Sequence, residues 1–421
     1  MLAFIIKGLL RDKHRSLFPL IIISLGVMLT TFMYGYSTGA FEGMKETNAK
    51  LGAGHVKVMT KEYFEIFNQL PNDFAIINSS EVLTELNKFE GIEWVQRIQF
   101  GGLLDIPNYQ GETRDQGPFI GMGMNLFGKG STEVERMDLA NVIKEGSIPK
   151  APGEILVSIA LASKLEVGVG DTATIIGSTA SGGMAIHSFK ISGLIKYGVP
   201  ALDKNLVIAD ITDVQYALNM DNSAGEILGF FDTDRYNDAR AEVIKSKVQK
   251  LGNLRGNSLI GVSLLDQEGL REYLNLEYIG IGILLGVFLI VMVVVLWNTG
   301  LMAGIRRYGE IGVRLAMGES KGELVRYLIL ESIVIGVVGS FIGSCLGTLL
   351  CLYLKVYGID MSDMMADSSI VINPILRANV SIVGFLIGFI PGILAVVLGT
   401  SLSGIGIYKR DTASLFKELE V

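Results

Sequence analysis

The sequence predicts an α-helical membrane protein in which four transmembrane helices carry one large mixed α/β extracytoplasmic domain, inserted between the first helix and the second. Three observations predict it. Apolar residues make up 49% of the 421-residue chain and raise its mean hydropathy to +0.44, too apolar for a single water-soluble fold. They gather into four blocks, Leu17 to Tyr36, Tyr278 to Met302, Tyr327 to Leu354 and Val380 to Ile407. Each block holds at least the roughly 20 residues that cross a hydrocarbon core about 30 Å thick. The segment between the first two blocks is acidic: residues 37–276 carry 22 Lys and Arg against 31 Asp and Glu.

Orientation follows from the basic residues of the short flanking segments, because cytoplasmic loops keep an excess of Lys and Arg. Lys7, Arg11, Lys13 and Arg15 precede the first block. Arg306, Arg307, Arg314, Lys321 and Arg326 separate the second from the third, and Lys409, Arg410 and Lys417 follow the fourth. The loop between the third and fourth has only Lys355 and Arg377. The predicted order is therefore a cytoplasmic segment 1–16, helix 17–36, outer domain 37–276, helix 277–302, cytoplasmic segment 303–326, helix 327–354, outer loop 355–379, helix 380–407 and cytoplasmic tail 408–421. Both termini are expected in the cytoplasm. The first block follows basic residues as a signal peptide does. It exceeds a usual signal core, however, and leads into Tyr34-Gly-Tyr-Ser-Thr-Gly without an Ala-x-Ala site, so it reads as an uncleaved anchor.

Both cysteines, Cys345 and Cys351, lie in the third block and cannot staple the outer domain. That domain must stand on its own hydrophobic core, expected as two subdomains. Gly54-His-Val-Lys-Val-Met alternates like a strand. Residues 80–89 form an amphipathic helix capped by Ser79 or Ser80. Trp94 to Leu104 resumes strand character; Glu154 to Ser158 is a strand, Ala160 to Leu165 a helix and Gly168 to Asp171 a turn. Strands at Thr172 to Ile176 and Ser188 to Ile195 flank a Gly/Ser-rich hairpin tip from Gly177. Thr212 to Leu218 and Asp238 to Leu251 read as helices, and Asp266 to Tyr278 continues as helix into the second block.

Several chemistries find little footing. Gly123-Met-Asn-Leu-Phe-Gly-Lys129-Gly130 nearly spells a P-loop, but Gly stands where Ser or Thr would hold magnesium. The segment also shows no clear strand before it and no helix after it. His14, His55 and His187 are scattered, without metal-ligand spacing, and read as solvated side chains. No Gly-x-Ser-x-Gly elbow occurs. No basic stripe tracks a nucleic-acid backbone. The chain is expected to be no enzyme and to have no catalytic or metal site.

In the membrane blocks, Gly339, Gly343 and Gly347 stand four apart, as do Gly384, Gly388 and Gly392. This spacing puts small residues on one helix face, for packing within the subunit or for pairing of subunits. Glu331 lies in the third block, shallow enough for headgroups or Arg326 to satisfy it. The segment Arg306-Arg307-Tyr-Gly-Glu310-Ile311-Gly-Val-Arg314-Leu315-Ala316-Met-Gly318 reads as a short amphipathic surface helix ending at Gly318 as C-cap, with Glu319 onward starting the next helix.

Those residues resemble the FtsX/MacB-type permeases of the ABC superfamily, which carry a segment like Arg-x-x-Glu-Ile-Gly-x-x-Arg-Ala-x-Gly-Ala-Ser and then a Gly-rich helix with an early Glu. Here Arg306 or Arg307, Glu310, Ile311, Gly312, Arg314, Ala316, Gly318, Ser320 and Glu331 fill that pattern. Residues 153–171 are similar to the family's stretch before its Gly-Asp turn, and Phe189-Lys-Ile-Ser-Gly-Leu-Ile with Leu202-Asp203 resembles it too. The resemblance runs through the whole chain and implies an inner-membrane permease paired with a second permease subunit and with a separate ABC ATPase dimer. No cofactor is expected in this chain; ATP and Mg belong to that ATPase.

Among subfamilies, the length and the lack of a fused nucleotide-binding domain look most like the LolC/LolE lipoprotein-releasing permeases. Two features depart from their pattern. The tail lacks the family's two prolines, and the 177–187 hairpin lacks the proline of the hook that engages a periplasmic chaperone. The resemblance implies extraction of a lipoprotein or another envelope substrate from membrane lipid. The alternative is an FtsX-like signalling scaffold that activates a cell-wall hydrolase.

With no nucleotide site in the chain, work on the outer domain must enter through the cytoplasmic surface. Glu310, Ile311, Arg314, Leu315, Ala316 and Gly318 are the expected ATPase-coupling residues. Ile311 and Leu315 would be apolar anchors, with Glu310 and Arg314 at the rim. Met28, Phe32, Leu284 and Phe288 are candidates to line a lateral opening for acyl chains, as the resemblance implies.

Overall fold

The computed structural model describes residues 13–128, 131–233, 235–267, 269–306, 313–365 and 373–409. They divide into two compact units, one of Met1–Glu42, Leu274–Ile359 and Leu376–Val421, the other of Gly43–Tyr273 and Asp360–Ile375. Helix α1 (Lys13–Asn48) is the first element of the described residues, and α2 (Leu270–Arg306), α3 (Lys321–Tyr357), α4 (Ile382–Ile387) and α5 (Phe389–Lys409) follow the sheet. Among the described residues, four helical lengths, Leu17–Ala53, Leu270–Met302, Lys321–Tyr357 and Ile382–Ile405, are long and apolar enough to cross a membrane. Each overlaps one of the four apolar blocks, and the first runs on to Ala53, well past Tyr36. The last is interrupted at Gly388, three residues before Pro391. Proline there cannot donate to the Ile387 carbonyl and its ring crowds it, so the helix breaks one turn earlier.

Both glycine stripes pack inside the chain. A Cβ on Gly339, Gly343 or Gly347 of α3 would strike α1 at Ile23, at the Ser24 carbonyl, and at the Met28 carbonyl and Thr31. One on Gly388 or Gly392 would meet Val27, with Thr31 or Ser340 beside it. The Ser24 hydroxyl donates to the Gly339 carbonyl at 3.1 Å. Ile23, Val27, Met292, Leu296, Ala395 and Val396 form the small core these helices share.

The other unit is built on one sheet: β1 (Val56–Thr60), β2 (Ile92–Pro107), β3 (Thr113–Met124), β4 (Ile143–Gly146), β5 (Glu154–Ser158), β6 (Thr172–Ser178), β7 (Met184–Ile195), β8 (Leu206–Asp210), β9 (Glu226–Phe231), β10 (Asn253–Leu254) and β11 (Asn257–Ser263). Its order is β10-β11-β1-β9-β2-β3-β8-β5-β7-β4, with β6 bridging β2 and β7. Strand β2 pairs with β9 through Ile92–Arg97, then with β3 to Pro107, and with β6 at Gly102–Asp105. An added Cβ on Gly102 would lie 2.2 Å from the Ile176 carbonyl, so glycine lets β6 approach. In place of the two subdomains expected from the sequence, the unit is built on one continuous sheet. One core gathers Val56, Trp94, Phe231 and Ile244, another Phe100, Leu104, Phe189 and Val207, and a third Leu51, Met124, Leu156 and Ile208.

Three local expectations are corrected. The helix Ser79–Leu86 is preceded by Asn78 in the left-handed conformation (φ 52°); Ser79 instead donates its hydroxyl to the Asn222 carbonyl. His55 is not solvated: it is 4% exposed, its Nδ1 accepts the Phe231 N–H at 2.8 Å, and Phe231 stacks on its ring. The P-loop-like segment does follow a strand, β3, and the short helix Glu133–Arg136 comes after it; Lys129 and Gly130 lie outside the described residues.

Just ahead of α2, Asp266 accepts from Lys245 Nζ at 2.6 Å, Ser263 Oγ at 2.8 Å and Arg271 Nε at 2.9 Å. Burial alone would raise its pKa; these donors outweigh burial and bring it from 3.8 to about 2. A depressed carboxylate stabilises the fold above its ordinary value, and the contribution is lost as pH falls through the folded one. Asp266→Asn should therefore lower stability at neutral pH and flatten the acid limb between 3.8 and about 2. Urea unfolding followed by the buried Trp94, in a Trp297→Phe background, reads it. An unchanged acid limb would show that this network adds nothing.

Candidate functional site

The segment joining α2 to α3 is described from Val313. Residues 313–316 are helical. The turn closes with Gly318 N–H donating to the Leu315 carbonyl at 3.1 Å and Glu319 N–H to the Arg314 carbonyl at 3.1 Å, while Gly318 adopts φ 95°. This is the Schellman pattern, in which a left-handed glycine lets two backbone donors fold back on the last helical carbonyls. Two residues later α3 starts on a capping box. The Glu323 N–H donates to Ser320 Oγ at 3.2 Å, and the Ser320 N–H donates to the Glu323 carboxylate at 3.0 Å. Both signals are local, which is why Gly318 was legible as a cap.

The predicted coupling residues separate on this frame. Leu315 is half-buried and packs on the buried Leu324 of α3, so its apolar surface is engaged within the chain. The Arg314 guanidinium lies 5.0 Å above the Tyr327 ring. Ala316 and Gly318 are exposed. Glu310 and Ile311 lie outside the described residues. The outward apolar side chains are Val313, 55% exposed, and Met317, 75% exposed. Four residues apart, they share one helix face. Sequence alone does not single them out, because Ile311 and Leu315 have the same spacing; only the packing of Leu315 on Leu324 tells the two faces apart.

The four candidate acyl-chain residues are half-buried. Helices α1 and α2 meet where Gly26 faces Met292 and where Phe41 meets Tyr278 edge-on at 5.5 Å. Met28 and Phe32 lie between those points on α1, as Leu284 and Phe288 do on α2. The Phe32 ring stacks on Tyr36 of its own helix, with centroids 6.1 Å apart.

Comparison with known proteins adds to this geometry. Residues 16–245 match the family model of the MacB-like periplasmic core domain, and residues 282–412 match that of the FtsX-like permease C-terminal region. Over 210 residues the chain is 27% identical to the lipoprotein-releasing system transmembrane protein LolC of Xylella fastidiosa, in strains Temecula1 and 9a5c. That match covers 48% of this chain and 49% of the relative in each case, so the chain spans about half the length of the curated relatives it matches. The crystal structure of the periplasmic region of MacB from Actinobacillus actinomycetemcomitans superposes with a TM-score of 0.36 at 10% identity, covering 54% of this chain and 95% of that one.

Proposed function

The chain belongs to the FtsX/MacB-type family of ABC transporter permeases, and from that premise we propose that it couples ATP hydrolysis on a separate ATPase dimer to movement of its outer domain, extracting lipoproteins from the inner membrane. The observation that carries the reading is the union, in one chain, of a MacB-like core domain with an FtsX-like helical region. The residues between α2 and α3 supply the input. A capped turn bearing Val313 and Met317 outward is an ordered surface on which an ATPase groove can push. The LolC relatives, named for a lipoprotein-releasing system, support lipoprotein as the cargo.

In this reading the outer domain faces the periplasm, both termini face the cytoplasm, and a second permease subunit completes the complex. A cysteine at exposed Ser181, in a Cys345→Ala/Cys351→Ala background, should label from the periplasmic side, and one at Lys321 should not. Co-expression with its partner ABC ATPase should give a complex that releases a radiolabelled lipoprotein from proteoliposomes on addition of ATP. A complex that hydrolyses ATP, retains the lipoprotein and instead binds a cell-wall hydrolase would replace this reading with the signalling one.

A further inference from the structure

Helix α1 does not run freely into the sheet. It ends at Asn48 and passes through one π turn, Ala49–Ala53, which Gly54 closes at φ 64°. The last carbonyls of a helix have no partner within it and carry the negative end of its dipole. Here Arg97 of β2, with no exposed surface, donates Nη1 to the Leu51 carbonyl at 3.1 Å and Nη2 to the Lys50 carbonyl at 3.2 Å. Gln267 Nε2 donates to the Ala53 carbonyl at 3.2 Å.

The guanidinium is itself anchored. Its Nε donates to Glu133 at 2.7 Å, and Glu133 also pairs with Arg136, which reaches Glu93 at 2.7 Å. Burial would raise the Glu133 pKa, but Arg97 and Arg136 outweigh it and hold the carboxyl below its usual range. Leu51 joins the third core, but packing around the turn is incomplete. Leu51, Gly52 and Ala53 line a cavity of about 340 Å³, together with Met44, Phe67 and Gln267.

We propose that Arg97 is the positioning residue that couples α1 to the outer sheet. It caps the carbonyl end of α1 and its turn with a buried guanidinium, so displacement of the helix passes to β2 instead of being absorbed as flexing at residues 49–54. A buried charge pair is a poor source of stability, since well-packed apolar residues often replace it at no loss. Its use here is to fix a joint. This inference rests on the reading that the outer domain is driven through the membrane helices.

The test uses the full chain in nanodiscs with its ATPase. Arg97→Met/Glu133→Leu removes both charges and leaves Arg136 paired with Glu93. It should keep the sheet's amide protection and unfolding midpoint, while amides of residues 50–54 exchange about tenfold faster or more. Arg97→Lys, which keeps the charge without the planar fork, should fall between. Spin labels at Ser181 and Lys321 should show a nucleotide-dependent distance change in the wild type and a much smaller one in the double variant, with ATP hydrolysis retained.

Unchanged exchange at residues 50–54 overturns the clamp. Faster exchange with a full distance change overturns its coupling role. If the wild-type distance ignores nucleotide, it is the ATP-driven reading that fails, and the exchange comparison still decides whether Arg97 holds the turn.

Discussion

Replacing Gly343 with leucine is expected to prevent α1 and α3 from packing, with loss of the folded helical unit. The reason is distance. A Cβ at Gly343 would stand 2.5 Å from the Ser24 carbonyl oxygen, 2.8 Å from Val27 Cβ and 3.1 Å from the Met28 amide nitrogen. None of these is the far end of a flexible side chain, so the helices themselves must separate. Separation would also break the Ser24 hydroxyl bond to the Gly339 carbonyl and open the contacts at Gly339 and Gly347. Lipid offers no hydrophobic drive to bring the helices back, because close van der Waals contact is what associates them. Overpacking by one methyl costs about 1–3 kcal/mol, so Gly343→Ala should be measurably less stable and Gly343→Leu should not assemble. Gly280→Leu on α2 is the control: nothing lies within 4 Å of a Cβ there. Detergent-titrated unfolding in bicelles reads all three. A Gly343→Leu chain as stable as Gly280→Leu would mean the stripe is not the contact that holds α1 to α3.

The membrane helices were legible because length and hydropathy alone specify a span. So were helices with sharp local signals, such as Asp238–Leu251, where Asn237 caps the Arg240 amide. The strands that escaped are informative in another way. Strands β8 and β9, Leu206–Asp210 and Glu226–Phe231, are buried at every position. Covered on both faces, they show no alternation, and a short apolar run cannot be told from buried helix by period. The Ser79 hydroxyl, drawn away from capping, and the buried His55 depend on partners far along the chain, Asn222 and Phe231. The Arg97–Glu133 pair spans 36 residues and lies outside any local spacing rule. In the segment joining α2 to α3 the chain order specified the turn and its cap, but which apolar face points outward depended on Leu324.

Met317→Asp is expected to release the ATPase while leaving the permease folded and inserted. Met317 is the most exposed apolar side chain of the described turn, and it shares a face with Val313. Truncating one apolar anchor of a docking surface costs about 1–3 kcal/mol, which is roughly a tenfold loss of affinity for each 1.4 kcal/mol. A carboxylate buried in the partner's groove should cost at least as much. Arg314, held over Tyr327, should matter less when changed to Gln, since a rim charge acts mainly on association rate. Leu315→Asp behaves differently from both. It forces a charge against buried Leu324, so it should loosen the turn itself and weaken docking only through that loss. Gly318→Ala should do the same in milder form, because φ 95° strains any side chain. Amide exchange across residues 313–324 separates the two classes: it should stay at wild-type rates in Met317→Asp and rise in Leu315→Asp and Gly318→Ala. If the Met317→Asp permease co-purifies with its ATPase at unchanged stoichiometry and releases lipoprotein normally, the Val313 and Met317 face is an interfacial anchor in the lipid headgroups and the ATPase pushes elsewhere.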